Sequence, residues 1–204
     1  MSNQTEHFPL QVDIVSDVVC PWCIIGYKHL QKALAMMPER FDVELRWQPF
    51  ELNPDMPAGG QNLREHIAQK YGATPDDSRA ARDRLTALGE SLGFTFDYHE
   101  DMRMVNTFRA HQLLHWAGEQ GQQTELKMAL FEAFFCHRED VSDVNVLVAA
   151  AGRASLPFAE AMEVLESGRY AEAVRREQQQ WLDREVHAVP TFLFNSKYLV
   201  PGAQ

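Results

Sequence analysis

The two ends of this chain carry the patterns of β-strands, and these ends constrain the fold most. Residues 10–15 (LQVDIV) are rich in β-branched side chains, and residues 41–47 (FDVELRW) place apolar side chains at a strict period of two. Residues 190–194 and 197–200 flank the turn Asn195-Ser196 and predict a β-hairpin. Because two or three strands are marginal without a partner layer, we expect the two ends to meet in one sheet.

The segments between these strands read as helices. A helix over about residues 21–37, ended by Pro38, joins the two N-terminal strands into a βαβ unit. Nearly everything from Leu63 to about Arg184 has helical character. Specific expectations are helices over 106–119 and 170–182, N-caps at Thr124 and Ser142, and Pro157 in the first turn of a further helix.

These patterns predict an α/β fold in which a long helical insertion interrupts a sheet-based domain. Residues 8–52 and 185–204 would form the discontinuous sheet domain. Residues 53–184 would form the helical lobe.

Charge and composition exclude several classes of function. The formal net charge is −10, which disfavours a phosphate-binding surface and therefore nucleic acid as a partner. The apolar runs are too short for a membrane span, and the first residues lack the basic start and apolar stretch of a secretory signal. We therefore expect a cytoplasmic protein without a membrane partner. Three cysteines are too few, and odd in number, for a disulfide scaffold.

Two of the three cysteines stand in Cys20-Pro21-Trp22-Cys23, at the predicted start of the first helix. Proline is favoured at the first helical position, which makes Cys20 the N-cap. Its sulfur would accept from free N–H groups at the positive end of the helix dipole, and the pKa of such thiols falls from about 8.5 to roughly 3.5–7.5. Cys23 lies nearly one turn further on, within reach for a disulfide. We expect Cys20 to be the more exposed, attacking thiol and Cys23 the resolving thiol.

A zinc site and inert packing are the alternatives for this pair. Zinc needs four ligands, and the sequence has no second pair of cysteines. His111 and His115 lie four residues apart on one helix face but lack the glutamate of a metalloprotease motif, so we expect a helix surface carrying two histidines and no metal site. The βαβ context favours a redox pair. Cys136 follows two phenylalanines on an apolar helix face, which predicts a packed, inert thiol, with a regulatory disulfide as the alternative.

A second unusual segment is HAVPTF, residues 187–192. Within a sheet, proline is confined to an edge strand or to the first residue of a strand, so Pro190 is expected to open the predicted strand. Only about 5–6% of such bonds are cis, and sequence patterns alone therefore leave Val189–Pro190 trans.

The order strand, CPWC, helix, strand, helical insertion, VPTF and hairpin resembles the thioredoxin superfamily, and the insertion together with CPWC resembles its DsbA-like branch. Four segments resemble the cytosolic FrnE-like members of that branch: DVVCPWCIIGYKHLQKAL, VELRWQPFELNPDMP, NTFRAHQLLHWAGEQG and VPTFLFNSKYLVPGAQ. Thioredoxin-like sheets are usually covered by a last helix after the hairpin, whereas this sequence stops at residues 201–204. We expect either that the sequence is cut short or that another chain covers that face.

The resemblance implies a thioredoxin-like fold and a set of site residues. Val189–Pro190 would be a cis peptide bond packed against the Cys20–Cys23 pair, and the backbone of Val189 would pair with an extended substrate segment. Pro21 and Trp22 would contact substrate and tune the redox potential. Trp22 stands where the strongly oxidising periplasmic members have a histidine, so we expect a less oxidising protein. No cofactor or metal is implied.

Two enzymatic functions remain open. The first is thiol–disulfide exchange on protein or peptide dithiols and disulfides, or on oxidised glutathione. The second is a glutathione-dependent isomerase or transferase, because 2-hydroxychromene-2-carboxylate isomerases and kappa-class glutathione transferases share this arrangement, typically with a serine at the position of Cys20. The second cysteine favours exchange, since only a dithiol resolves a mixed disulfide. A non-enzymatic binding module is a third class. Asn53 and Asn106-Thr107 are expected to have loop or capping roles rather than ligand contacts.

Overall fold

The computed structural model describes residues 7–38 and 40–204. Its strands are β1 (Phe8–Ser16), β2 (Phe41–Pro49), β3 (Gln61–Asn62), β4 (Arg103–Met104), β5 (Thr191–Phe194) and β6 (Tyr198–Pro201). Its helices are α1 (Pro21–Ala35), α2 (Leu63–Tyr71), α3 (Pro75–Ser91), α4 (Phe108–Glu119), α5 (Gln123–Phe135), α6 (Val144–Arg153), α7 (Phe158–Ser167) and α8 (Ala171–Leu182).

The two ends of the chain form one sheet, as predicted. The strand order is β2-β1-β5-β6, with β1 parallel to β2 and antiparallel to β5. Ile14 at the centre of the sheet lies opposite Trp47 on one side and Phe192 on the other. The hairpin from β5 to β6 turns at Asn195 and Ser196, which both have positive φ. The prediction of an α/β fold with a large helical insertion is confirmed.

The two faces of the sheet are covered by different parts of the chain. On one face, Val12, Ile14 and Phe192 join the main core, which α1 and the helices from α4 to α7 complete. On the other face, Val15 and Leu193 join a smaller cluster that contains Trp181 of α8. This layering follows the alternation of side chains along a strand. The division into a sheet domain and a helical lobe at residues 53 and 184 stays a prediction.

Three predicted helix starts differ from the observed ones. Asp143, and not Ser142, caps α6: its Oδ1 accepts from the N–H of Asn145 at 2.7 Å. Ser142 bonds to Asp140 in the preceding turn instead. Thr124 lies inside α5, where its Oγ1 accepts from Trp47 Nε1 at 3.0 Å. Pro157 is the N-cap of α7 and lies just before its first turn.

A small antiparallel pair of strands, β3 and β4, lies within the stretch predicted to be helical. Two-residue strands carry no periodic pattern, so the sequence gives no signal for them. Among the described residues, no helix is both long and apolar enough to cross a membrane.

Candidate active site around the Cys20–Cys23 pair

The two cysteines lie at the start of α1, where β1 has just ended in the middle of the sheet. Pro21 is the first helical residue and Cys20 the N-cap, with φ −94° and ψ 112°, as predicted. Both thiols are free, and the N–H of Cys23 donates to the carbonyl of Cys20 at 3.1 Å. The expectation that the Cys20 sulfur caps the helix is wrong, because its side chain makes no capping hydrogen bond.

The Cys20 thiol turns instead toward the loop before β5. Its Sγ lies 3.8 Å from the carbonyl oxygen of Val189, to which the thiol donates. The Val189–Pro190 bond is cis, as the family resemblance implies. The Pro190 carbonyl accepts from Gly202 at 2.8 Å, while the N–H of Val189 finds no backbone acceptor within the described part of the chain. The structure therefore brings Cys20, Val189 and Pro190 together and leaves the N–H of Val189 free to pair with a ligand.

Gly26 allows α1 to lie directly against this loop. A Cβ at this position would be 3.0 Å from Phe192 Cζ and 3.2 Å from Pro190 Cγ. Both distances are shorter than normal van der Waals contact. A glycine on this face of the helix therefore sets the close approach of the thiols to the cis proline.

A buried carboxylate lies directly behind the pair. Asp17 is 1% exposed, and its two oxygens accept from the N–H groups of Val18 and Leu52, each at 2.8 Å. His111 of α4, 2% exposed, places Nε2 3.2 Å from the same carboxylate. Burial opposes the charge of Asp17, but the hydrogen bond and charge of His111, the N–H of Leu52 and the charge of Lys127 together lower the pKa of Asp17 below its ordinary value.

A buried lysine completes this cluster. Lys127 of α5 is 1% exposed, and its Nζ lies 3.5 Å from the carbonyl oxygen of Ser16. The ammonium group also faces the rings of Trp47 and Phe131, at 5.2 Å and 5.1 Å from their centroids, which is cation–π distance. Burial lowers the pKa of Lys127 to about 8, although the negative charges of Cys23 and Asp17 favour the ammonium form.

These surroundings divide the two thiols electrostatically. Burial raises the pKa of Cys20, and the adjacent Cys23 raises it further. Burial acts against ionisation of Cys23 as well, but the adjacent Cys20 thiol and the charge of Lys127 lower its pKa. The helix-capping argument predicted the lower pKa at Cys20, and the order of the two pKa values is here the opposite.

The reactive pair is more enclosed than the sequence suggested. Cys20 is 3% exposed and Cys23 fully buried, so the expected difference in exposure is small. Trp22 is 47% exposed beside them. Next to Cys20, an apolar cavity of about 120 Å³ is bounded by Val19 and Pro21 and by side chains of the helical insertion.

Two asparagines and the third cysteine, which the sequence analysis singled out, have structural roles. Asn53 accepts from Lys70, and Asn106 accepts from the N–H of Phe108, so the predicted loop and capping roles for these asparagines are confirmed. Cys136 ends α5, donates to the carbonyl of Thr95 at 3.0 Å, and has a pKa that burial raises to about 11, as expected of an unreactive thiol.

The histidine pair is not a surface pair. His111 is buried against Asp17, and only His115 is partly exposed, 3.1 Å from a carboxylate oxygen of Glu177. The prediction of two surface histidines is wrong for His111. No group of three metal-ligating side chains occurs among the described residues.

Sequence reasoning missed Asp17 and Lys127 as site residues. One signal was present: Lys127 lies four residues before Phe131 on the apolar stripe of α5, where a charge needs a buried partner. Asp17 follows Ser16 and precedes Val18, Val19 and Cys20. Nothing in the sequence showed that Asp17 and Lys127 belong to one buried cluster.

Known proteins match this chain over almost its whole length, including the residues around Cys20 and Cys23. The DSBA-like thioredoxin domain family matches residues 11–204. A probable DsbA oxidoreductase from Streptomyces coelicolor is 33% identical, with a TM-score of 0.89 over 96% of this chain and 84% of that one. The protein YwbO of Bacillus subtilis is 25% identical over 95% of this chain and 90% of its own. The cytosolic disulfide reductase DsbM from Pseudomonas aeruginosa, 17% identical, has a TM-score of 0.61 over 93% of this chain and 87% of that one, which shows a common fold.

Proposed function

Because this chain belongs to the DSBA-like thioredoxin family, we propose that it is a thiol–disulfide oxidoreductase in which Cys20 attacks and Cys23 resolves. One observation carries the proposal. Two adjacent free thiols face the cis Val189–Pro190 loop on one side and a buried lysine on the other. This arrangement supplies a nucleophile, a resolving thiol, a backbone strand for substrate and a cation that stabilises thiolate.

The exchange proceeds in two balanced steps. The Cys20 thiolate attacks one sulfur of a substrate disulfide, forming a mixed disulfide and expelling the other sulfur as a thiolate that takes up a proton. The Cys23 thiolate then attacks Cys20 Sγ, which releases the second substrate thiol and leaves a Cys20–Cys23 disulfide. Two electrons pass from the protein dithiol to the substrate, and the reverse sequence oxidises a substrate dithiol.

The buried cluster supports the proton movements that these steps require. Cys20 attacks only after it has lost its proton, and the adjacent sulfur of Cys23, whose pKa is lowered, can exchange that proton with it. Lys127 stabilises negative charge on either sulfur and, with its pKa near 8, also gives up a proton readily. The negative charges of Cys23 and Asp17 favour the protonated form of this lysine. The three side chains would therefore keep one thiolate available near neutral pH.

The substrate would be an extended peptide or a small thiol compound. The free N–H of Val189 suits strand-like pairing with a peptide that carries a cysteine. The apolar cavity beside Cys20 is slightly smaller than the roughly 150 Å³ cavity that binds benzene in another protein, so it would hold one apolar side chain. The structural neighbour DsbM has been crystallised with GSH, which supports glutathione as a co-substrate here.

Insulin reduction with glutathione as the reductant tests this proposal. Cys20→Ser should abolish turnover, because it removes the attacking sulfur. Cys23→Ser should also abolish turnover and should accumulate a mixed disulfide on Cys20, detectable by mass spectrometry. Cys136→Ser is the matched control, since its thiol lies outside the site, and it should retain full activity.

Turnover that persists in Cys20→Ser would refute the exchange mechanism. If that variant instead retained glutathione-dependent turnover of a chromene carboxylate, the isomerase alternative would hold. The direction of flux follows from the potential of the Cys20–Cys23 couple in glutathione buffers. A value near or above about −200 mV indicates an oxidase or isomerase, and one near about −270 mV a reductase.

A further inference from the structure

The outer edge of β2 is an unpaired strand edge that lies away from the thiols. The backbone N–H of Trp47 donates to Gln123 Oε1 at 2.8 Å, and the backbone carbonyl of Trp47 accepts from Gln123 Nε2 at 3.0 Å. Both backbone groups therefore point away from β1. Arg40 lies an odd number of residues before Trp47, so its backbone groups point the other way, and its carbonyl accepts from the N–H of Phe8 at the start of β1. The backbone groups of Val43 and Leu45 therefore face the same outer edge as those of Trp47.

The amide of Gln123 makes the two bonds that a neighbouring strand would make. This amide covers only the edge position at Trp47. At Val43 and Leu45, no hydrogen bond from the backbone N–H or carbonyl groups to a residue outside the sheet occurs among the described residues. Two residues of the edge thus remain open for strand pairing.

A groove runs along this open edge. Its volume is about 740 Å³, and β2 forms one wall from Val43 to Gln48. The other wall comes from the end of α4, the first turn of α5 and one side chain of α8. An extended segment laid beside β2 would have room for its own side chains in this space.

The groove is acidic. Its walls carry the carboxylates of Glu44, Glu119, Glu125 and Glu177. Against them stand the guanidinium of Arg46, which pairs with Glu44, and the imidazole of His115. A basic segment would complement this charge.

We propose that the β2 edge binds an extended, lysine- or arginine-rich segment of another protein, which adds as a strand beside Val43 and Leu45. Main-chain hydrogen bonds give such strand addition its affinity, and the flanking carboxylates select positive charge. A second copy of this chain is disfavoured, because each copy carries a formal net charge of −10 and would bring acidic walls together. The proposal does not depend on the redox function.

Fluorescence anisotropy with three labelled peptides tests the proposal: Lys-Val repeats, Glu-Val repeats of the same length, and Lys-Pro repeats. The Lys-Val peptide should bind, with an affinity that falls as salt rises. The Glu-Val peptide should not bind. The Lys-Pro peptide has the same charge but no N–H at its proline positions, so it should bind at least about tenfold more weakly. Binding should be unchanged in Cys20→Ser, which separates this result from any failure of the redox proposal.

Val43→Pro removes one outward N–H without removing a bond to β1, so the sheet should stay intact. It should weaken Lys-Val binding about tenfold, whereas Val43→Ala, which keeps the N–H, should change it less than twofold. If Val43→Pro does not fold, amide exchange in the wild type still decides, since peptide should slow exchange at Val43 and Leu45.

Equal binding of the Lys-Val and Lys-Pro peptides, or unslowed exchange at both amides, would overturn strand addition. Self-association that Val43→Pro abolishes would show that a second copy occupies the edge, which would also overturn the proposal.

Discussion

His111 and His115 lie one turn apart on α4, and each faces a carboxylate, yet the two regions around them differ in almost every physical respect. His111 and Asp17 are buried behind the dithiol, with side chains that are each 1% exposed. His115 and Glu177 lie in the acidic groove, with side chains 23% and 31% exposed. The same pair of residue types is therefore a part of the redox site in one place and part of a solvated wall in the other.

The difference shows that burial, more than pairing, decides how much such a contact contributes. A carboxylate removed from water needs every one of its hydrogen bonds, and removing it leaves the surrounding charges unpaired. A carboxylate at the surface exchanges its partner for water at little free-energy cost. The following substitutions test this contrast between the buried cluster and the groove.

Asp17→Ala should give the largest effect, a loss of about 3–5 kcal/mol in the free energy of unfolding, which is typical of breaking a buried ionic contact. The change leaves His111 without its carboxylate and two backbone N–H groups without an acceptor. Urea denaturation measures it, with Glu177→Ala as the counterpart that should cost no more than about 1 kcal/mol.

The pH dependence gives a second readout of the Asp17 contact. Because the folded-state pKa of Asp17 lies below the ordinary value of 3.8, its contribution is complete above that pH and is lost as the pH falls through the lowered pKa. The Asp17→Ala protein should lack this acid-dependent loss. Equal losses of stability in Asp17→Ala and Glu177→Ala would contradict the contrast.

Lys127→Met should change reactivity more than stability, because methionine is of similar length and removes a desolvated charge. An opposite charge within about 4–6 Å shifts a pKa by roughly 1–3 units, so the alkylation rate of the dithiol at neutral pH should fall at least about tenfold. The pH midpoint of alkylation by iodoacetamide should rise correspondingly. Lys32→Met, on the exposed last turn of α1, is the control and should leave both values unchanged.

Gly26→Ala tests the packing of the redox region without touching a charge. The added methyl would meet Phe192 and Pro190 at 3.0–3.2 Å, and such overpacking costs about 1–3 kcal/mol. Gly152 of α6 is the matched helical glycine, where an added methyl would meet no neighbouring side chain within 4 Å, so Gly152→Ala should stabilise the protein by roughly 0.5–1 kcal/mol. Thermal unfolding of both variants should therefore shift in opposite directions.

Local sequence signals predicted the secondary structure of this protein, but not which of the two histidines is buried. Alternation in β2 and Pro21 at the start of α1 are local signals, and both led to correct elements. These patterns left the Val189–Pro190 bond trans, and it was the family resemblance carried by CPWC and VPTF that placed a cis proline beside the thiols. The caps of α5 and α6 were misplaced by one or two positions, because several adjacent residues can cap and local geometry chooses among them.

The buried ions could not be predicted in the same way. Asp17 and His111 are separated by 94 residues, and Ser16 and Lys127 by 111. Sequence periodicity relates only residues that are close together within one element. It also treats His111 and His115 alike, because they lie four residues apart on one face of the same helix. Only the packing of α4 and α5 on the sheet decides which histidine is buried, and that packing also brings the charge of Lys127 to bear on Cys23.

Glu177→Gln should give the smallest effect and completes the contrast. The hydrogen bond and charge of Glu177 raise the pKa of His115, so this pair contributes fully below the ordinary value of 6.5 and its contribution is lost as the pH rises through the raised pKa. In the variant, the difference in unfolding free energy between about pH 6 and about pH 8 should shrink, by no more than about 1 kcal/mol. Glu119, 3.9 Å from the same imidazole, would retain part of it. A loss as large as that of Asp17→Ala would mean that the groove is as desolvated as the redox site and would remove the basis for treating the two regions differently.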